Sequence, residues 1–458
     1  MRANSSEIST QQLSAQLSAQ LTEALGQVLG ENYAPWADVS PEQQQRVMSA
    51  IAATSPPAAI AYPDTTAALS QVITLASENQ WRVLAAGQSS KLGWGGLAEG
   101  IELVVSTAKL NRVVEHAVGD FTVTVEPGIK LADLRQQLAE HDQLLAIDPA
   151  FSAQATLGGI VATADAGSLR QRYGGLRDML IGVQFVRHDG QMAKAGGRVV
   201  KNVAGYDLMK LMTGAYGSLG LLSELTFRLY PMPQTSRTLV LSGGEQAVEQ
   251  AIAEVRLSGL TPVALDLTLS RLAASLTQEE NHQHMSLVAR FQGIAAGVEE
   301  QTARLKKVAT THGMHYQQLE DEADRDYWQQ VSELICSDTL LCKVGLRPSA
   351  LPPLLAMLEG DTLHDSAQVV LHGSSGLGWV QWPESVAAQS TFLTALEKMR
   401  SHCQANGGFL TLLQAPSELK QATDIWGYTG NALSVMRDIK QKFDPYRLLS
   451  PGRFVGGL

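Results

Sequence analysis

Between residues 56 and 232 the apolar positions switch repeatedly between two periods. Ile60 to Pro63 and Trp81 to Ala85 are short apolar runs bounded by turn residues and predict strands. Between them, Asp64-Thr65-Thr66 supplies a helix cap. Leu69, Val72, Ile73 and Leu75 then recur at helical spacing to about Asn79. Glu102 to Ser106 predicts another strand, and Phe121 to Glu126 alternates as one, closed by Pro127-Gly128. Leu131, Leu134 and Leu138 mark one face of a helix to His141. Leu180 to Arg187 and Gln191 to Ala195 flank Asp189-Gly190, which predicts a hairpin. A short helix at Tyr206 to Met212, a glycine-bearing loop at Gly214 to Gly220 and a strand from Leu221 to Leu229 complete the region. Strands alternating with helices give an α+β or α/β pattern.

On either side the pattern is looser. Leu13, Leu17, Leu21 and Leu25 recur every four residues among polar ones, including a repeated Leu-Ser-Ala-Gln, and residues 1–55 read as a partly frayed helical extension with partner docking as the alternative. Pro56-Pro57 marks the start of the folded region. Residues 233–430 read as a second domain. Strands are expected at Thr238–Leu241, Val263–Thr268, Ser286–Phe291 and Gln368–His372, with helices at Gln246–Arg256 and Glu299–Thr310. That pattern predicts a small antiparallel sheet with helices on one face.

Two stretches stand out for their small side chains. Residues 85–96, Ala-Ala-Gly-Gln-Ser-Ser-Lys-Leu-Gly-Trp-Gly-Gly, follow a predicted strand. Successive N–H groups in such a turn form an anion-binding concavity, and Ser89 and Ser90 add hydroxyl donors. A pyrophosphate cradle is one reading and plain turn chemistry the other. The G-x-x-x-x-G-K-[ST] pattern is absent, and Gly93 to Ala98 fits only a relaxed dinucleotide fingerprint that neither directly follows a strand nor opens a clear helix. The second stretch, Ala153 to Gly167, would let backbone approach a flat, bulky group, or pack a helix tightly on a sheet.

The chain has 458 residues, enough for two to three domains, with 45% apolar and 17% charged residues, as in a globular protein. Its net charge of −10 argues against nucleic acid as a partner. No apolar run reaches the roughly 18 residues needed to span a bilayer. No signal peptide is evident, so a cytoplasmic location is expected, with membrane association only through partners. Cys336, Cys342 and Cys403 are scattered and cannot by themselves ligate an iron–sulfur cluster, so redox chemistry here would need an organic cofactor.

Taken in order, the Gly87–Leu92 loop, Thr156-Leu157-Gly158-Gly159-Ile160-Val161-Ala162-Thr163, Tyr173-Gly174, Asp178, Asp189-Gly190 and Gly217-Ser218-Leu219-Gly220 resemble the FAD-binding domain of the p-cresol methylhydroxylase/vanillyl-alcohol oxidase flavoproteins. Val199 to Leu208 is similar to the glycolate oxidase/D-lactate dehydrogenase branch. The closing Phe443-Asp444-Pro445…Leu449-Ser450-Pro451-Gly452-Arg453-Phe454 also resembles that branch, in particular its second FAD-binding glycolate oxidase subunit of the cyanobacterial type. The resemblance implies an α+β fold: a two-subdomain FAD-binding domain at 56–232, an α+β cap with an antiparallel sheet at 233–430, and a tail at 431–458 returning to the FAD domain. It implies non-covalent FAD, since positions 87–92 hold no histidine and no cysteine lies near the flavin loops. The implied cofactor residues are Ala86, Gly87, Gln88, Ser89, Ser90, Lys91, Leu92, Pro149, Thr156, Leu157, Gly158, Gly159, Ala162, Thr163, Tyr173, Asp178, Gly220 and Leu222. Lys91 would pair with a phosphate, or be a solvated loop lysine. Asp178 would lie near the flavin, or cap a turn.

The branch's catalytic subunits carry Gly-His-x-Gly-Asp-Gly-Asn-x-His in the cap. The comparable stretch is Gly373 to Gln381, where Ser374 and Gln381 stand at the histidines, Leu377 at the Asp and Trp379 at the Asn. Leu and Trp ligate no metal, so no metal is expected. His372, His282 and His284 read as ordinary histidines, and Arg170, Arg172 and Arg177 as a basic face or a substrate- or partner-facing patch. Three readings follow. The chain is the FAD-carrying subunit of a glycolate dehydrogenase complex, beside a paralogous catalytic flavin subunit and an iron–sulfur subunit. Or it is a self-sufficient 2-hydroxy acid dehydrogenase, with Lys343 and Arg347 on the substrate carboxylate. Or it is a scaffold without flavin. No catalytic residue is assigned.

Overall fold

The computed structural model describes residues 10–52, 55–198, 205–277, 285–335, 339–358, 366–388 and 391–458, with side chains of 10–15 and 270–271 left undescribed. Val199 to Ala204 of the branch motif, His282, His284 and Cys336 lie outside the described residues.

The first half holds two main sheets and a two-stranded ribbon, Gln143–Leu144 with Tyr230–Pro231. One is a four-stranded sheet in the order Tyr33–Pro35, Ala59–Ala61, Leu103–Ser106, Val83–Ala86, parallel except for its first pair. The other is antiparallel, in the order Val113–Ala117, Thr122–Val125, Leu221–Arg228, Leu180–Val186, Met192–Gly196. The Asp189-Gly190 turn joins the last two strands, with Gly190 at φ 79°. Thr65 caps the helix Thr66–Glu78 by accepting from the Ala68 N–H, and Leu69, Val72 and Ile73 are buried as the period requires.

From residue 16 the N-terminal segment is packed rather than frayed. The helix Thr10–Leu29 buries Leu21, Leu25 and Leu29 in one core with Leu69, Val72, Leu103 and Val105. The strand Tyr33–Pro35 pairs with Ala59–Ala61, so the folded region begins well before Pro56. Burying three leucines is worth several kcal/mol, which outweighs the fraying of a polar helix.

The second half is built on an antiparallel sheet of eight strands, larger than expected. Its order is His315–Glu320, Thr235–Gly243, Met285–Gly293, Ala264–Leu269, Gln368–His372, Leu377–Pro383, Thr339–Gly345, Phe409–Gln414. Its outer face packs on Glu245–Leu257, Ala295–Thr311, Leu351–Ala356 and Phe392–Ala405 around the largest core. Helices also reach its inner face. Tyr327, from Asp321–Glu333, packs there with Val240, Val288 and Leu319. The rest of that face meets the first half, where Leu341 and Leu413 join Trp94 and Ala150.

The C-terminal segment crosses back. Leu449 bridges Val83, the Val83 N–H donates to the Leu448 carbonyl, and the Ser450 hydroxyl accepts from the Ala85 N–H.

Candidate functional site

The strand Val83–Ala86 opens directly into the glycine loop, and the loop lines a cavity. Among the described residues, the N–H groups of Gln88, Ser89, Ser90 and Lys91 meet no backbone acceptor. Ser89 is held at φ 63°, which turns successive amides to one side. Such a row of unpaired amides fits a group rich in acceptor oxygens.

The opposite wall is the helix Leu157–Thr163, which Thr156 caps by accepting from the Gly159 N–H at 3.3 Å. The two glycines there differ. A Cβ on Gly158 would sit 2.7 Å from the Pro127 side chain, so that glycine is required by packing. A Cβ on Gly159 would meet only the Thr156 hydroxyl, at 3.3 Å, and otherwise faces open space. A Cβ on Gly87 would lie 2.2 Å from that same hydroxyl, so the loop and the helix touch through Thr156.

Ala86, Gly87, Gln88, Ser89, Ser90, Lys91, Leu92, Thr156, Gly158, Gly159, Ala162, Thr163, Gly220 and Leu222 all line this cavity. Pro149, Leu157, Tyr173 and Asp178 do not. Leu157 is fully buried in the core. Tyr173 packs its ring on Tyr230 at 4.7 Å. The Asp178 carboxylate accepts from the Gly175 N–H at 2.8 Å, as a cap. Pro149 is buried next to Ala150. Lys91 lines the cavity but is no free phosphate hand: its ammonium donates to the Ala150 carbonyl at 2.8 Å and lies 3.3 Å from Asp165. Burial lowers its pKa, against the pull of Asp165.

Tyr216 and Arg453 also line the cavity and carried no expectation from the sequence. Tyr216 adopts φ 53° and packs against Trp426 and Phe454. The Arg453 guanidinium donates to the carbonyls of Leu92, Trp94 and Gly96 at 2.6–2.8 Å.

Across the interface the cap's polar groups are mutually engaged. His372 Nδ1 lies 2.8 Å from Asp266, which also accepts from the Ser168 hydroxyl of the first half. Asp148 accepts from the N–H groups of Gly167 and Leu169. Burial pushes Asp148 up to about 6. Burial opposes the charge on His372, but pairing with Asp266 outweighs it and its pKa lies above the usual value. Gln381 donates to the Leu334 carbonyl and to Gln368, and Trp379 packs beside the Trp94–Leu341 cluster. Among the described residues no group of three or more His, Cys, Asp and Glu side chains could hold a metal ion.

Lys343 and Arg347 are not brought together. Lys343 sits on the inner face, where burial lowers its pKa against the pull of Asp165, with Arg170 and Arg177 adding to the lowering. Arg347 is exposed beyond the strand's end, beside Gly407. Of the basic patch, Arg177 donates to the Thr213 carbonyl and Arg172 is exposed. No helix among the described residues is long and apolar enough to cross a membrane.

Residues 57–196 match the family model described as an FAD binding domain. The chain is 26% identical over 427 residues to D-lactate dehydrogenase [cytochrome], mitochondrial, of Arabidopsis thaliana, covering 87% of this chain and 73% of that one. It is 30% identical over 203 residues to glycolate oxidase subunit GlcE of Escherichia coli (strain K12), covering 44% of this chain and 57% of the subunit. Its fold superposes on the crystal structure of p-cresol methylhydroxylase with substrate bound at TM-score 0.73 and 15% identity, covering 96% of both chains. The unpaired amides of the glycine loop and the open face at Gly159 fit the cofactor this match specifies. The chain thus has the p-cresol methylhydroxylase-type fold, its residues 57–196 are an FAD binding domain, and FAD is its cofactor.

Proposed function

We propose that this chain is the FAD-binding subunit of a 2-hydroxy acid dehydrogenase complex that oxidises glycolate to glyoxylate. A paralogous flavin subunit would hold the substrate site, and an iron–sulfur subunit would receive the electrons. The observation that carries the reading is a contrast between two parts of one chain. The cradle offers unpaired amides and an open glycine face, while the cap stretch that corresponds to the branch's His-rich segment holds Ser374, Leu377, Trp379 and Gln381, and the Gln381 amide donates to Leu334 and Gln368. Likeness to a D-lactate dehydrogenase and to a glycolate oxidase subunit supports the substrate class.

When bound, FAD would supply a redox centre that relays electrons between the substrate-oxidising subunit and the iron–sulfur subunit. The amides of Gln88 to Lys91 and the hydroxyls of Ser89 and Ser90 would hold its anionic part, and Gly159 would leave room for the cofactor against the helix. Lys91, engaged by Ala150 and Asp165, fixes the loop's shape rather than adding a free charge. Trp94, Ala150, Leu341 and Leu413 exclude water at the seam with the cap.

One observation favours a second reading, a dehydrogenase complete in itself. The Lys343 ammonium has no hydrogen-bond partner among the described residues and is a candidate for a substrate carboxylate. Anaerobic addition of glycolate, then D-lactate, to the purified chain separates the two. A flavin spectrum unchanged until the partner subunits are added fits the subunit reading. Bleaching by the chain alone, lost in Lys343→Gln, would replace it with the second.

A further inference from the structure

Two buried cations grip the carbonyl side of the flavin loop, and neither comes from the FAD binding domain matched at 57–196. Arg453, in the C-terminal segment, is 3% exposed and takes the carbonyls of Leu92, Trp94 and Gly96. Lys420, on the helix Ser417–Ala422, is 6% exposed. It takes the carbonyls between them: Gly95 at 2.9 Å, and Gly93. Five successive carbonyls, 92 to 96, therefore face two positive charges. Among the described residues neither cation has a carboxylate partner, in contrast to Lys91 with Asp165 and Lys440 with Asp444. Buried charges are costly without hydrogen bonds, and here backbone carbonyls supply all of them.

We propose that Lys420 is a positioning residue for FAD: by tying Gly93 and Gly95 to a helix outside the FAD binding domain, it makes retention of the cofactor depend on the seating of that helix. The loop is held at three places. Its start continues the strand Val83–Ala86, its middle is fixed by Lys91, and its end is gripped by Lys420 and Arg453. The four unpaired amides lie between the first and the last of these anchors. Releasing the last anchor frees the turn that aligns them. Helix Ser417–Ala422 follows directly on the strand Phe409–Gln414, whose Leu413 carbonyl accepts from the Gly95 N–H, so the cap sheet and the loop move as one piece.

Lys420 also gives the clamp a pH dependence. Burial, then the charge of Arg453, brings its pKa down to about 7. Arg453, itself lowered to about 10 by burial, is the charged group facing it. An anionic cofactor nearby favours the protonated lysine, so FAD binding takes up a proton when the pH is above 7. FAD affinity then falls as pH rises, by at most about tenfold per unit for one proton.

The inference rests on the loop holding FAD, which a Gly159 substitution tests separately. The experiment is FAD dissociation from the full chain, followed by flavin fluorescence between pH 6 and 9, for wild type, Lys420→Gln and Lys420→Arg. Loss of FAD should quicken about tenfold in Lys420→Gln at pH 6, as expected when charge-assisted hydrogen bonds are removed. The pH slope above 7 should flatten in that variant, and Lys420→Arg should recover retention without the slope. The raised Asp148 and His372 are common to every variant, so the difference between variants isolates Lys420. Equal retention and equal slopes in wild type and Lys420→Gln would overturn the proposal while leaving the loop's assignment intact. If Lys420→Gln fails to fold, wild type against Lys420→Arg decides: identical pH slopes would overturn it.

Discussion

The flavin loop and the inner face of the cap sheet meet across one interface, and both are rich in polar groups. They differ in where their hydrogen bonds go. On the cap face many groups are spent on partners at the seam or within the cap: Asp266 takes His372 and the first half's Ser168, and Asp324 takes Arg290 and Thr238, while Gln381 Oε1 is left unpaired among the described residues. On the loop the carbonyls are engaged by Arg453 and Lys420, while the amides of Gln88 to Lys91 are left open. A saturated polar face builds structure, and an unsaturated one held rigid from behind is prepared for a ligand. The contrast supports our proposal that FAD binds at the loop, with the cap face, Lys343 apart, holding the halves together.

Substitutions on the two sides should therefore separate cofactor from stability. The largest effect is expected for Arg453→Leu, which strips three carbonyls of their donor. FAD binding should weaken by about two orders of magnitude, corresponding to roughly 3 kcal/mol of charge-assisted hydrogen bonding, as read by titrating apoprotein with FAD. Asp324→Ala leaves Arg290 without its carboxylate in a largely buried place and should cost about 3–5 kcal/mol of stability. It should lower the denaturant midpoint with FAD content unchanged. Loss of flavin there would mean that the cap face also serves the cofactor.

The smallest effect concerns pH. The raised Asp148 contributes stability that is complete below its unfolded pKa and is lost as pH rises through about 6. The raised His372 contributes stability that is complete below its ordinary value of 6.5 and is lost as pH rises through its higher folded value. Both signs agree, so the seam tightens in acid. The stability gap between wild type and His372→Gln should be larger at pH 5.5 than at pH 8.5, by about 1 kcal/mol or less. A gap that widens with pH would reverse the assignment of charge on His372.

Much of the first half was legible because its devices are local. A strand that ends in glycines and hydroxyls, a Thr cap three residues before a glycine and an Asp-Gly hairpin each leave a mark within a few positions. The cap was harder. Thr339–Gly345 buries Leu340 on one face and Leu341 on the other, so it has no period of two. His315–Glu320 is a polar edge strand, and Leu377–Pro383 holds a glycine that reads as loop. Lys420 left no mark at all, because its partners are backbone carbonyls more than 300 residues away. Arg453 stood inside a recognised closing motif, yet its role needed the fold. For the N-terminal helix the signal was present: the spacing of Leu17, Leu21 and Leu25 continues to Leu29, and the last three are the ones buried.

The most direct test of the cradle is the flavin content of Gly159→Leu, measured by absorbance beside its unfolding curve. The Cβ at this position meets no backbone, and leucine suits a helix better than glycine, so the fold should survive. A folded, colourless protein is expected next to a stoichiometrically yellow wild type. A folded variant that keeps its FAD would show that the cofactor lies elsewhere, and would contradict the assignment of this cavity.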